Sequence, residues 1–233
     1  MSIEIVSAAD SRGGGKPPRE IFPRLFAFPP NRDTLGGTAY LLIDDGGNIL
    51  VDCPPSDEGT KAFLEEKGVA KIFLTHRGGH GQTLPQLQKA LGCEVIVQEQ
   101  EAYLLPSVGS RTFEGQVDIY PHCQGFWTCG HSPGSACLYW HDRDLGGILF
   151  TGRHLLPNQQ GQPVPLRTSK TFHWPRQLKS VKLIVARFSP DTLKYICPGA
   201  NTGFLRGKHS IESPYPSLMS LDLAVLGESV PII

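Results

Sequence analysis

Two short apolar runs joined by four turn residues constrain this chain more than any other stretch. TAYLLI (38–43) and NILVD (48–52) flank Asp44-Asp45-Gly46-Gly47, and Asp-Gly tolerates the positive φ of tight hairpin turns. The pair predicts an antiparallel hairpin, whose apolar faces require cover. Ser56 predicts the cap of a helix running to about Lys67, with Asp57 and Glu58 in the first turn and Gly68 at its end. KIFL (71–74) reads as a buried strand, followed by a helix over 84–91, the strand EVIV (94–97) and a short helix over 99–105. The chain then turns β-rich through VDIY, FWTC, ACLYW and GILFT, before a helix over 175–188 and the strand LKYIC (193–197). The tail from Ser213 is apolar, and residues 217–226 predict a terminal helix. With no repeat and no linker, this order predicts one sheet-based α/β domain over residues 21–233, after a loose Gly-rich segment at 1–20.

Charge narrows the partners. There are 22 basic and 22 acidic residues and no long run of either sign, which argues against nucleic acid or an anionic membrane held by bulk electrostatics. No apolar stretch approaches membrane-spanning length. The first twenty residues hold no apolar core of the signal-peptide kind, so the six cysteines are expected to be reduced and the chain cytoplasmic. No GxGxxG loop is present.

The chemistry gathers in five short stretches: VDCPP after a strand, LTHRGGHG after a strand, TCGHSPGS, ILFTGRHLLP and YICPGANTG. Together and in this order they resemble the metallo-β-lactamase superfamily, over about Ile21 to Ser210. FAFPPNRDTLGG (26–37) is similar to a branch of it found in photosynthetic organisms. The resemblance implies a four-layer αβ/βα sandwich, two packed sheets with helices outside. It also implies a dinuclear metal centre, and here the pattern fails. Where the family has T-H-x-H-x-D-H, this chain has Thr75-His76-Arg77-Gly78-Gly79-His80-Gly81. His131 keeps the metal-binding position of the third stretch. The bridging carboxylate has become Arg153, and the last histidine has become Ala200, with Asn201 beside it. Of seven expected ligands, His76 and His131 remain.

A catalytic zinc usually keeps three protein ligands and one open position, so two histidines make an incomplete site. A guanidinium about 6 Å from a divalent ion raises its energy by roughly 5–6 kcal/mol at an effective dielectric near 20, and arginine cannot lose its charge to become a ligand. The same arginine makes the pocket attractive to an anion. Arg153 and Arg77 supply charge, His76, His80 and His131 add donors, Asn201 stands close, and the backbone at Gly78, Gly79 and Gly81 exposes N–H groups.

The leading expectation is therefore a pseudoenzyme that binds a small anion and holds no metal. The alternative is a hydrolase with one zinc, iron or manganese on His76, His131 and His80. A third reading is an assembly factor whose C-terminal tail contacts a protein partner or a second copy. Asp52 ends a strand and reads as support for the loop after it. Cys123 and Cys129 are not at C-x-x-C spacing, and buried cysteines usually act as small hydrophobes.

Overall fold

The computed structural model describes residues 15–231. The first sheet runs in chain order through β1 (Arg19–Phe22), β2 (Leu25–Ala27), β3 (Tyr40–Leu42), β4 (Ile49–Val51), β5 (Lys71–Phe73), β6 (Glu94–Gln98) and β7 (Ser110–Phe113). The hairpin β3–β4 forms as its sequence predicts, antiparallel with Leu41 opposite Leu50. From β4 to β7 the strands are parallel, which demands crossovers. Two of these carry helices, α1 (Glu58–Lys67) and α2 (Leu84–Leu91), and the short helix α3 (Glu99–Ala102) follows β6. The cap of α1 is Asp57, not Ser56: its carboxylate accepts from the Thr60 amide at 3.0 Å and the Thr60 hydroxyl at 2.9 Å. A carboxylate caps as well as a hydroxyl and also favours the positive end of the helix.

The second sheet begins with β8 (Gln116–Tyr120), β9 (Cys123–Trp127), β10 (Ala136–Asp142) and β11 (Gly146–Gly152). A two-stranded ribbon, β12 (Leu156–Pro157) with β13 (Pro163–Val164), and helix α4 (Trp174–Arg187) follow. The sheet is completed by β14 (Tyr195–Pro198) and β15 (Ile211–Glu212). Two short helices, α5 (Tyr215–Met219) and α6 (Leu223–Gly227), stand where one terminal helix was expected. The Asp222 carboxylate accepts from the amides of Ala224 and Val225 and starts a new helix there, because a short carboxylate competes with the backbone wherever it meets free N–H groups. Arg19 and Glu20 are already paired in β1, two residues inside the segment expected to be loose. The rest of that segment up to residue 14 lies outside the described residues.

Strand alternation creates three apolar cores and hence four layers. Tyr40, Leu42, Ile49, Val51 and Phe73 meet Leu138, Trp140, Ile148 and Phe150 between the sheets. The opposite faces of the first sheet, Leu41, Leu50, Ile72 and Val95, lie with Leu64 of α1 and Leu84 of α2. Those of the second, Cys137, Leu149 and Ile196, lie with Val181 and Ile184 of α4. This is the αβ/βα sandwich that the sequence implies. All six cysteines are buried and unpaired. Among the described residues no helix is long and apolar enough to cross a membrane.

Candidate functional site

The ends of β4, β5 and β11 meet at one edge of the sandwich. Asp52, just past β4, is buried and holds a left-handed backbone (φ 59°). Its carboxylate accepts from the Thr75 amide at 2.8 Å and from the Thr75 hydroxyl at 2.6 Å. The Cys53 amide donates to the Gly79 carbonyl at 2.7 Å, drawing the loop down onto Asp52. A methyl group on Gly79 would stand 2.2 Å from Asp52 Oδ1, so this close approach requires glycine. Burial raises the Asp52 carboxyl to about 6, against hydrogen bonds from Thr75 and the charge of Arg153, which lower it. The strand-end position of Asp52 thus serves the loop that follows β5.

That loop fixes His76. The single proton of the Thr75 hydroxyl goes to Asp52, so the contact between Thr75 Oγ1 and His76 Nδ1 at 2.9 Å is donated by the imidazole. His76 Nε2 is then an acceptor, and it is buried without a partner. The ring of His131, carried by the β9–β10 loop, meets that of His76 edge to face with centroids 5.2 Å apart. Burial first, then the neighbouring charges of Arg153 and Arg77, lowers His131 to about 4. Burial and the same neighbourhood hold His76 well below its ordinary value. Both imidazoles are neutral near pH 7.

Arg153 follows β11 and reaches across the edge. One guanidinium nitrogen, Nη2, donates to the carbonyls of Thr34 and Leu35 at 2.9 and 2.7 Å, while Nε is buried without a partner. Burial lowers its pKa and the Asp52 charge partly restores it. Among the described residues it has no carboxylate within salt-bridge distance. Arg77 differs: its Nε donates to Glu101 at 3.0 Å, and Glu101 is buried and also accepts from the Gly134 amide. That pairing partly cancels the charge that the sequence assigns to Arg77.

These groups line a cavity of about 370 Å³. His76, Arg77, Gly78, His131 and Arg153 form one part of its wall, and Leu35, Leu156, Leu166, Thr168 and Lys170 another. Lys170 is exposed at the tip of a turn closed by the Thr171 amide donating to the Thr168 carbonyl. The amides of Phe172 and His173 donate to the carbonyls of His131 and Gly130, fastening this turn to the His131 loop. Leu166 and Lys170 have no signal in the sequence, because a 166–172 loop announces nothing about the wall it will complete, whereas Leu35 and Leu156 lie within the stretches FAFPPNRDTLGG and ILFTGRHLLP. Two predicted residues stand apart from the cavity lining. His80 turns Nδ1 to the Gly81 carbonyl at 2.9 Å. Asn201 is exposed, with a left-handed backbone (φ 57°), at the start of a 3₁₀ turn, Thr202–Leu205.

The donor set does not fit a zinc, iron or manganese ion. His76 offers one free nitrogen and His131 stands beside it, but His80 lies outside the cavity lining with Nδ1 on the Gly81 carbonyl, and a guanidinium lies close by. Among the described residues no three His, Cys, Asp or Glu side chains gather as a metal-holding group.

Known proteins share the architecture. No protein-family model matches the chain. The probable metallo-hydrolase YqgX of Bacillus subtilis is 30% identical over 142 residues, 49% of this chain and 66% of that protein. The match therefore spans slightly less than two-thirds of the relative. Among solved structures, DIM-1 metallo-β-lactamase superposes with a TM-score of 0.65 at 15% identity, covering 83% of this chain and 96% of that one. An archaeal metallo-β-lactamase superfamily protein, ST1585 from Sulfolobus tokodaii, superposes with a TM-score of 0.60 at 15% identity, covering 90% and 88%. At such identities the structural likeness establishes the fold.

Proposed function

We propose that this chain, whose fold is that of the metallo-β-lactamase superfamily and whose sequence lacks most of that superfamily's metal ligands, is a non-catalytic protein that binds a small anion in the cavity around Arg153. The observation that carries this reading is the charge balance of the wall. Arg153 and Lys170 bring two positive charges with no carboxylate paired to either among the described residues, Arg77 is offset by Glu101, and both imidazoles are neutral. Charge-assisted hydrogen bonds to a guanidinium in a partly buried site are stronger than neutral ones. An oxyanion there answers a positive charge that Asp52, outside the cavity wall, offsets only in part.

Isothermal titration with inorganic phosphate and with acetate, at low and physiological salt, tests the reading. Binding is expected, weakening with salt. Arg153→Gln should lower affinity tenfold or more and Lys170→Gln several-fold. Lys170 is a surface side chain, so its variant folds even if Arg153→Gln does not. Absence of binding by any anion, or indifference to both variants, would overturn the proposal.

One observation favours a second reading, a hydrolase with a mononuclear site. His76 Nε2 is a buried acceptor without a partner beside His131, the arrangement a metal would use. Metal analysis of protein purified without chelator separates the two. Near one equivalent of zinc, iron or manganese per chain supports the hydrolase, and a value near zero after incubation with excess metal removes it.

A further inference from the structure

The cavity is larger and more apolar than a bare oxyanion requires. At about 30 Å³ for a water-sized group, its 370 Å³ hold roughly twelve non-hydrogen atoms, whereas a carboxylate has three and a phosphate five. The remaining space faces Leu35, Leu156 and Leu166. Leu35 is unusual on two counts. It is 62% exposed and its backbone lies in the left-handed region at φ 53°, which a leucine enters only when its surroundings impose it. The surroundings here are identifiable: the Leu35 amide donates to the Arg32 carbonyl, the Gly36 amide to the Asn31 carbonyl, and Arg153 holds the Leu35 carbonyl. The cation of the cavity thus fixes an apolar side chain on its wall.

We propose that the cavity takes an amphipathic oxyanion, a carboxylate or phosphate monoester bearing an alkyl chain of about seven to nine carbons, the length left once the head has taken its share of the space. The inference rests on the anion reading of the same site. The head lies toward Arg153 and Lys170, and the chain lies against Leu35, Leu156 and Leu166. His76 Nε2, a buried acceptor without a partner, favours a head that also carries a proton, as the monoanion of a phosphate monoester does below its second pKa near 6.

Titration of the protein with acetate, butanoate, hexanoate, octanoate, decanoate and dodecanoate, and with the matching alkyl phosphates, all below their aggregation concentrations, tests this. Affinity should rise by up to about fourfold for each methylene added and level off beyond about nine carbons, where the cavity is full. Leu35→Asn, which suits a left-handed backbone, and Leu166→Ser should each lower octanoate and octyl phosphate affinity about tenfold. The two head-group series assign the head within the class. Short anions that bind with no gain along the series would overturn this inference and leave the anion reading standing. Absence of binding by every member would overturn both. Binding to anionic phospholipid vesicles without binding to the monomeric homologues would also overturn it, replacing a soluble ligand with a membrane surface.

Discussion

At the residue scale the site rests on a few close approaches. Gly79→Ala should destabilise the protein by about 1–3 kcal/mol in urea denaturation, because the added methyl must displace the Asp52 carboxylate that holds Thr75. Asp52→Asn should cost a similar 1–3 kcal/mol, since an amide cannot accept on both sides from Thr75. His76, His131, Arg77 and Arg153 were legible from their places in recognisable stretches, and the structure brings all four to one cavity. What their names did not disclose was how each is spent. Arg77 is engaged by Glu101, twenty-four positions along the chain, and Arg153 by two backbone carbonyls more than a hundred positions away. Pairings at such separations have no local pattern. His80 and Asn201 lie outside the cavity lining, each on a turn of its own.

At the element scale the tail explains the wall. The Trp174 indole donates to the Leu226 carbonyl at 2.8 Å, and Arg167 donates to the Ser229 carbonyl. The α6 segment therefore holds both ends of the loop that presents Leu166 and Lys170. Deletion of residues 223–233 should speed hydrogen exchange across 166–173 and lower anion affinity, while the strands of both sheets keep their protection. Unchanged exchange in that loop would separate the tail from the site. This fastening occupies part of the apolar surface that the sequence offers to a protein partner or second copy. Met219 and Val225 remain exposed. The strands were readable where an apolar run bounded by turn residues carried them, and the β3–β4 hairpin, β5, α2 and β6 stand within a residue or two of their predicted bounds. The two-residue strands β12 and β13 are too short for a run or a period to register, and only pairing defines them.

At the scale of the whole molecule, neutral buried imidazoles link stability to pH. In the unfolded chain each takes up a proton as pH falls through 6.5. In the folded chain burial delays this until about 4 for His131 and about 3 for His154, and His76 is likewise held low. The unfolded state binds more protons across that window, so stability falls as pH drops. Asp52 opposes this with one proton, because its folded value near 6 exceeds its ordinary 3.8. The net of about two protons predicts a loss of roughly 2–3 kcal/mol per pH unit between pH 6 and 4.5, measurable by urea denaturation at stepped pH. His154 has both ring nitrogens buried without partners, so His154→Leu should flatten that slope by about one proton.

The bond from Arg153 to the Thr34 and Leu35 carbonyls also gives the altered site a direction. An aspartate in its place is too short to reach the two carbonyls, which would lose their donor and release the turn that carries Leu35. It would gain no metal in exchange, since Gly78, Gly81 and Ala200 offer no donor side chains. The step at Arg153 passes through a chain with a loosened edge, and every isolated step leaves an incomplete donor set. The substitution behaves as a latch: once the guanidinium cross-links the edge of the sandwich, the shortest route back is uphill.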